Sequence, residues 1–351
     1  MKNLLIISLC VAALAACETV PSILPVMPDA KAFTVKADFE TPVMASVGDS
    51  ADDPAIYIGT NGRGFIAATD KQAGLYIYNL DGSQREFMPI GMLNNVDLRE
   101  GFSYRGQDHV LLAASNDEIN TITMLLYNPA TDTFTKPEGH EISTGSLSPY
   151  GICLGKPDGN SFHAGLTTKA GIYEQHIVEA INGTMSARKV RTFSTGTKTE
   201  GCAFDDRTNK LYIAEEEGGL YSYAALPSGG DAQTVLARPF DYGMKPDLEG
   251  VTVYEDDADG GYVLVSSQGN NSYAVFSLPS GEYAGRFMIG EGVVDGTSTT
   301  DGIAVTSKAT AKYPRGFLVV QDDMDNTSPS EPKKKQNLKV VDWRDIEAGL
   351  Q

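Results

Sequence analysis

Short apolar segments separated by glycine, asparagine and aspartate fill most of this 351-residue chain. Alternating or continuously apolar runs of about four to eight residues are frequent, which is typical of β-strands. Stretches with the three-to-four-residue periodicity of an amphipathic helix are nearly absent. The pattern therefore predicts an all-β protein.

One segment type, polar residues followed by a short apolar run, recurs six times. Its copies begin near Asp53, Asn95, Tyr150, Glu200, Glu249 and Asp301. A second type, an apolar run that ends in polar residues, follows each copy. Its marker positions, which are 46, 53, 48, 52 and 54 residues apart, are Thr69, Ser115, Thr168, Glu216, Gln268 and Asp322. Six such units predict a six-bladed β-propeller. The last unit lacks an outer strand, and we expect the segment from Phe33 to Phe39 to supply it and close the ring.

The N-terminus has the pattern of an export signal. An apolar run from Leu4 to Ala16 follows Lys2 and ends in small residues before Cys17. This pattern predicts a lipoprotein signal peptide over residues 1–16, with Cys17 as the lipidated residue. Residues 17–31 read as a lipid-anchored tether and residues 32–351 as the propeller. Glu18 after the cysteine favours the bacterial outer membrane, with a periplasmic or extracellular location as the alternative.

Four cysteines are present in the chain, and two of them, Cys10 and Cys17, belong to the signal region. Cys153 and Cys202 are left in an oxidising compartment. They are either a disulfide or two buried free thiols, and both alternatives stay open from the sequence.

The formal net charge of −18 argues against nucleic acid as a partner. Because neighbouring strands of a blade are antiparallel, the start of each inner strand and the end of each second strand lie at the same mouth of the central channel. The residues at these positions are mostly acidic: Asp52, Asp53, Tyr150, Glu200, Asp247, Glu249, Asp301, Lys71, Lys169, Glu216, Gln268, Gln321 and Asp322. A merely solvated acidic rim is the simpler alternative.

Carboxylates that share one mouth repel each other unless a proton or a cation neutralises them. A ligand set of oxygen atoms alone suits Ca²⁺ better than zinc or copper. The four histidines have no metal-ligand spacing and lie away from the mouth. Zinc hydrolysis and a Ser-His-Asp triad are therefore disfavoured, and the sequence predicts several calcium ions.

Two lysines, Lys71 and Lys169, stand among these acids and indicate a pocket for an anion. Calcium ions there could neutralise a polyanionic substrate and activate a water molecule. The alternative is that each lysine only pairs with a nearby acid.

At these residues the chain resembles the β-propeller phytases, calcium-dependent enzymes of the 3-phytase type that release phosphate from phytate (inositol hexakisphosphate). The most specific stretches are Asp52-Asp53-Pro54-Ala55-Ile56 and Ser266-Ser267-Gln268-Gly269-Asn270-Asn271-Ser272-Tyr273. Further matching segments occur in the family's order at residues 68–71, 93–97, 113–116, 150–151, 199–201, 212–216, 247–250, 295–298, 300–303 and 320–322. The similarity spans roughly residues 38 to 345.

The resemblance implies roles for individual residues. The active-site calcium ligands would be Glu40, Asp52, Asp53, the Val96 carbonyl, Glu200, Glu216, Asp247, Glu249 and Gln268. Asp295 and Asp322 would help to bind a structural calcium ion. Substrate phosphate would contact Lys71, Tyr150 and Lys169, with Asp301 beside them. Glu200, Lys71 and Lys169 would act in catalysis, with a calcium-bound water near Glu200 as the nucleophile.

One position departs from the family. The family usually carries a phosphate-binding arginine after residues 113–116, whereas this chain has Asp117. Arg99 or Arg105 is a candidate replacement from a nearby loop.

Taken together, the sequence and the resemblance predict a monomeric phytase acting on phytate, for example as its calcium salt. A catalytically weak surface propeller that binds calcium and an anion is the alternative, and a calcium-dependent lactonase is a third hypothesis.

Overall fold

The structure is a computed structural model that describes residues 26–60, 62–145, 148–325 and 335–350. Within these residues the backbone forms six separate β-sheets. The first thirteen strands are β1 (Phe33–Lys36), β2 (Phe39–Glu40), β3 (Ala51–Ile58), β4 (Gly64–Asp70), β5 (Gly74–Tyr78), β6 (Gln84–Met88), β7 (Leu93–Tyr104), β8 (Gln107–Asn116), β9 (Thr121–Asn128), β10 (Thr133–Thr135), β11 (Glu141–Ser143), β12 (Pro149–Gly155) and β13 (Phe162–Thr168).

The second half of the chain continues in the same way. Its strands are β14 (Ile172–Ile181), β15 (Thr184–Ser194), β16 (Thr199–Asp205), β17 (Lys210–Glu215), β18 (Gly219–Ala224), β19 (Gln233–Ala237), β20 (Leu248–Glu255), β21 (Gly261–Ser267), β22 (Ser272–Leu278), β23 (Tyr283–Gly290), β24 (Ile303–Thr306), β25 (Phe317–Asp322) and β26 (Asn337–Asp342). One short α-helix, α1 (Trp343–Glu347), follows β26. Single 3-10 turns lie at Pro227–Gly229, Asp241–Gly243 and Gln268–Asn270.

Each sheet is one blade of a six-bladed propeller, as the repeat predicts. The blades are β3–β6, β7–β10 with β11 added to β9, β12–β15, β16–β19, β20–β23, and β24–β26 with β2. The first strand of each blade contacts the first strand of the next, and β24 contacts β3. The first strands therefore surround the central channel and the ring is closed.

The closure differs in detail from the prediction. The N-terminal segment forms two strands rather than one, and only β2 joins the last blade, where Phe39 is opposite Val340. β1 runs parallel to β23 and covers the outer edge of the fifth blade, where Phe33 is opposite Phe287. The expectation that the whole segment completes the sixth blade is wrong because the edge of the fifth blade also accepts a strand.

The hydrophobic core lies between the blades. Six buried clusters form, one at each interface between neighbouring blades. Because the second strand of a blade is covered on both faces, β13 is buried throughout and β4 is buried at every position but its first. The outer strand β6 alternates between exposed and buried residues. At the junction of the fifth and sixth blades, Trp343 of α1 stacks on Tyr254 with ring centroids 3.8 Å apart.

Candidate functional site

A β-bulge at the mouth end of the inner strand recurs in the first five blades. The strand register shifts there by one residue relative to the second strand, for example between Ala51 and Pro54 of β3. Such a bulge places two residues opposite one and turns their side chains. The residue pairs set apart in this way are Asp52–Asp53, Asn94–Asn95, Tyr150–Gly151, Glu200–Gly201 and Glu249–Gly250. The bulge therefore brings Asp52, Asp53, Tyr150, Glu200 and Glu249 to one mouth.

Hydroxyl side chains on the second strands hold these bulges in place. Thr167 Oγ1 accepts a hydrogen bond from the Gly151 N–H at 2.9 Å and donates to the Glu200 carbonyl of the next blade at 3.0 Å. Equivalent donors to the next blade are Thr69 to Asn94, Ser115 to Tyr150 and Ser266 to Asp301. Each hydroxyl thus fixes the backbone of a site residue across a blade junction. Glycine follows the site residue because the chains approach closely: a Cβ on Gly151 would lie 1.7 Å from the Glu200 carbonyl oxygen.

Three glutamates form the centre of the mouth. Carboxylate oxygens of Glu200, Glu216 and Glu249 lie within 4.8 Å of one another, and all three residues are buried. The Oε2 atoms of Glu200 and Glu249 are buried and accept no hydrogen bond from the described residues. Burial raises the pKa of the Glu249 carboxyl well above its ordinary value, and the nearby charge of Glu200 raises it further. A divalent cation fits this set, because it would satisfy the free oxygen atoms and offset the repulsion.

Two aspartates of the first blade adjoin the glutamates. Asp52 is completely buried and Asp53 nearly so. Burial raises the pKa of both carboxyls well above the ordinary value, and the charge of Glu200 adds to the effect on each. Val96 donates its N–H to Asp53 Oδ2 at 3.1 Å. These residues extend the acidic cluster across the channel.

The fifth and sixth blades contribute the next group of predicted residues. Gln268 N–H donates to the Asp247 carbonyl at 2.9 Å, and its side-chain amide donates to Asp301 Oδ1 at 2.8 Å. Asp301 N–H donates to the Gln321 side chain at 2.9 Å. Burial raises the pKa of Asp301 to about 6. The structure therefore brings these residues to the same mouth, and their role as calcium or substrate ligands stays a prediction.

Lys71 lies among these acids. Its ammonium nitrogen is 2.7 Å from Asp52, 3.3 Å from Asp49 and 3.4 Å from Asp301. Burial lowers its pKa, but the charges of Asp52, Asp301, Glu200 and Asp49 together outweigh burial, and the pKa is raised well above its ordinary value. Lys71 therefore stays protonated and presents a fixed positive charge.

Tyr150 lies between two further lysines. The ammonium of Lys169 is 5.2 Å from the centroid of the Tyr150 ring, and that of Lys198 is 4.6 Å from it. Lys169 also pairs with Asp117 at 2.6 Å, and Lys198 pairs with Glu216 at 2.8 Å. Lys198 is not among the residues predicted from the repeat. Its position two residues before Glu200, just before an inner strand, is the feature from which it could have been predicted.

The structure places Glu40 elsewhere than the central cluster. Carboxylate oxygens of Glu40, Asp295 and Asp325 lie within 4.8 Å of one another. The buried ammonium of Lys339 is 2.5 Å from Glu40 and 3.1 Å from Asp322, and it also contacts Asp295. Glu40 therefore belongs with the predicted structural site, because β2 pairs with β26, which carries Lys339. Burial lowers the pKa of Lys339, but Asp322, Asp295 and Glu40 together outweigh burial and raise the pKa to about 12.

Neither arginine considered as a replacement at Asp117 reaches the mouth. Arg99 lies four residues beyond Asn95 along β7, roughly 13 Å away at about 3.3 Å per residue. It pairs there with Asp206 at 3.2 Å. Arg105 lies in the hairpin after β7, where its guanidinium stacks on Tyr104. The expectation that one of them substitutes is wrong, because β7 runs away from the mouth.

A disulfide joins the inner strands of the third and fourth blades. Cys153 and Cys202 have an S–S distance of 2.06 Å and a Cα–Cα distance of 5.6 Å. Cys153 follows Tyr150 by three residues and Cys202 follows Glu200 by two. The bond therefore ties together two strands that carry site residues.

The predicted signal peptide and Cys17 lie outside the described residues. The end of the predicted tether is described and contacts the propeller: the Met27 N–H donates to Asp241 Oδ1 at 2.7 Å, and Arg286 donates to the Ala30 carbonyl at 2.8 Å. Among the described residues, no helix has the length and apolar character to cross a membrane.

The fold and this site define a class: a six-bladed propeller whose channel mouth combines a buried carboxylate cluster, suited to divalent cations, with lysines suited to an anion. A family model described as phytase matches residues 3–351. The chain is 38% identical over 328 residues to the 3-phytase of Bacillus subtilis (strain 168), across 90% of this chain and 85% of that relative. The chain belongs to the phytase family and is an enzyme of that family.

Solved structures show more distant likenesses. A chain in the crystal structure of a nidogen/laminin complex has a TM-score of 0.46 and 12% identity, with 68% of this chain and 80% of that chain covered. A functionally unknown protein from Desulfotomaculum acetoxidans DSM 771 has a TM-score of 0.47 and 14% identity, with coverage of 69% and 72%. Neither likeness bears on function.

Proposed function

We propose that this enzyme is a calcium-dependent phosphomonoesterase that hydrolyses phytate to lower inositol phosphates and inorganic phosphate. The observation that carries the proposal is the buried cluster of Glu200, Glu216 and Glu249, in which carboxylate oxygens next to lysines accept no hydrogen bond from any described residue. Likeness to a 3-phytase supports phytate as the substrate.

The acidic residues would hold the cation. Glu200, Glu216 and Glu249 would supply buried oxygen ligands, and Asp52 and Asp53 lie within electrostatic range of Glu200. Calcium bound there would lower the pKa of a bound water and stabilise charge on the transferring phosphoryl group. Glu200, which like Glu249 has an oxygen that accepts no hydrogen bond within the described part of the chain, would orient the attacking water.

The lysines would bind the phosphate groups. Lys71 is held by Asp52 and Asp301, so its ammonium is oriented before the substrate arrives. Lys169 lies beside Tyr150, where it can contact a phosphate group. In the reaction, water attacks phosphorus, the bond from phosphorus to the inositol oxygen breaks, and that oxygen takes a proton.

Phosphate release from phytate tests the proposal. The protein is stripped of metal with EDTA, and release is measured before and after a calcium titration, with magnesium in parallel. We expect release with calcium, little without it, and weaker activation by magnesium, which demands a stricter octahedral geometry. Equal release in EDTA and in calcium would refute calcium dependence, and no release in any condition would refute phytate hydrolysis.

Two neighbouring glutamates offer a matched comparison. Glu216 belongs to the buried cluster, whereas Glu217 is exposed. Glu216→Gln removes a ligand charge and should raise the calcium concentration needed for half-maximal release by about tenfold or more. Glu217→Gln should leave that concentration unchanged. If the two variants respond alike, Glu216 is not a ligand.

A catalytically weak propeller that binds calcium and an anion is the second candidate. The salt bridge between Lys169 and Asp117 favours it, because Asp117 neutralises one of the lysines beside Tyr150. This candidate predicts calcium and phytate binding with phosphate release close to the uncatalysed rate.

We also propose that the enzyme is exported as a monomer and anchored by a lipid on Cys17 to the bacterial outer membrane. The apolar run before Cys17 supports this. Cys17→Ala should move the protein from the membrane fraction to the soluble fraction of expressing cells, and an unchanged distribution would refute the anchor.

A further inference from the structure

The two lysines beside Tyr150 come from different blades. Lys169 follows β13 of the third blade, and Lys198 precedes β16 of the fourth. Both ammonium groups lie within 5.2 Å of the Tyr150 ring centroid. Their side chains are similarly exposed, at 40% for Lys169 and 44% for Lys198, so either could meet a ligand that enters the mouth.

Their carboxylate partners differ. Lys169 pairs with Asp117, which has no second salt bridge within the described ranges. Lys198 pairs with Glu216, which also shares the central cluster with Glu200 and Glu249. A divalent cation in that cluster would compete with Lys198 for the charge of Glu216. When a cation binds to the cluster, Glu216 therefore no longer neutralises the ammonium of Lys198, which can then bind an anion. The ammonium of Lys169 is still neutralised by Asp117.

Lys198 and Lys71 face the central cluster from opposite sides. Lys71 follows β4 in the first blade, and Lys198 belongs to the fourth, which is opposite in a ring of six. Lys71 pairs with Asp52 of the first blade, and Lys198 pairs with Glu216 of the central cluster. A ligand that reaches both lysines must carry at least two anionic groups.

We propose that Lys198 binds a second phosphate group of the substrate beside Tyr150, and that a divalent cation at Glu216 frees it to do so. This inference rests on the proposed function and adds Lys198 to the residues that contact the substrate. Lysine is a common phosphate-binding residue, because its ammonium offers three donors and a full charge. The site thus couples cation loading to anion binding.

Calorimetry with a non-hydrolysable probe, inositol hexasulfate, tests the inference. The variants are Lys198→Met, Lys198→Arg and, as a control, Lys210→Met, an exposed lysine of the same blade at the start of β17. We expect Lys198→Met to weaken hexasulfate binding to the calcium-loaded protein about tenfold or more, since a charged hydrogen bond is lost. Lys198→Arg should restore most of the affinity, and Lys210→Met should change little.

Calcium titration without the probe gives an effect of opposite sign. Lys198→Met removes a competitor for Glu216, so calcium should bind more tightly than in the wild type. A merely structural role of Lys198 would weaken the binding of both calcium and hexasulfate, and that result would overturn the inference. Unchanged hexasulfate affinity in Lys198→Met would overturn it as well.

The proposed function can fail separately. If the wild type binds calcium and hexasulfate but releases no phosphate from phytate, hydrolysis is refuted, while a weaker Lys198→Met complex still supports the anion site. If the wild type hydrolyses phytate but Lys198→Met binds hexasulfate normally, only the role of Lys198 is refuted.

Discussion

At the scale of single residues, the salt bridge between Lys169 and Asp117 is the most unusual feature of the site. Asp117 lies 2.6 Å from the Lys169 ammonium and neutralises its charge. Asp117→Asn would remove this internal competitor. A partly exposed salt bridge contributes up to about 1 kcal/mol, so we expect the KM for phytate to fall by up to about fivefold. Steady-state kinetics of phosphate release from phytate, in the presence of calcium, measure this KM.

The exposed Asp108 at the start of β8 provides the control for this substitution, since Asp108→Asn makes the same change of charge on the other side of the blade. An equal fall of KM in both variants would show only a general charge effect. A rise of KM in Asp117→Asn would mean that Asp117 itself binds a cation or orients Lys169 for the substrate.

The raised pKa of Asp301 predicts that the free energy of unfolding depends on pH. Burial raises its pKa from 3.8 to about 6. Because the folded state binds this proton more tightly than the unfolded chain, its stabilising contribution is complete below about pH 4 and is lost as the pH rises through about 6. The raised pKa values of Asp52, Asp53 and Glu249 act in the same direction.

In EDTA, the free energy of unfolding should therefore be lower at about pH 7.5 than at about pH 5. Asp301→Asn should reduce that difference. Denaturant titrations at both pH values measure it. A wild type that becomes more stable from pH 5 to pH 7.5 without cations would contradict the assignment.

At the scale of the strands, the hydroxyls that link neighbouring blades should support both the fold and the site. Thr167→Val removes the acceptor for Gly151 N–H and the donor to the Glu200 carbonyl. A buried N–H without a partner costs about 1–3 kcal/mol. We expect guanidinium unfolding to show that loss in the free energy of unfolding. Calcium should also bind more weakly, because Glu200 would be displaced. Thr192→Val, on the exposed side of the same blade, should change stability by less than about 0.5 kcal/mol.

The disulfide makes a second contribution at this scale. Cys153 and Cys202 are 49 residues apart, and closing a loop of that length stabilises the folded state by about 4 kcal/mol in the chain-entropy description. The double variant Cys153→Ala, Cys202→Ala should lose about that much in denaturant unfolding. A loss below about 1 kcal/mol would show that the blades hold this junction without the bond.

The repeat made much of the site predictable, because each unit has polar residues at the same bulge. Asp53, Glu200 and Glu249 were located from that pattern alone. Lys198 and Lys339 were not, because one lies in a connection and the other is a single lysine in an apolar strand. The position of Glu40 beside Asp295 and Asp325 could not be predicted, because the partner of an edge strand is not contained in a local pattern.

At the scale of the whole molecule, closure of the ring joins the chain ends. β2 near the N-terminus pairs with β26 near the C-terminus. The same closure brings Glu40 to Asp295 and Lys339. The second acidic cluster therefore forms only in the closed ring, while the central cluster is built from neighbouring inner strands. Ring closure also completes the mouth, because the Lys71 ammonium of the first blade pairs with Asp301 of the sixth.

The central claim is that the acidic mouth holds the calcium that activates phytate hydrolysis. Its most direct test is one calcium titration of metal-free protein, followed both by calorimetry and by phosphate release, for the wild type and Glu249→Gln. We predict that bound calcium and phosphate release rise together in the wild type and that both shift to higher calcium by about tenfold or more in the variant. Wild-type calcium binding and release in Glu249→Gln would contradict this account.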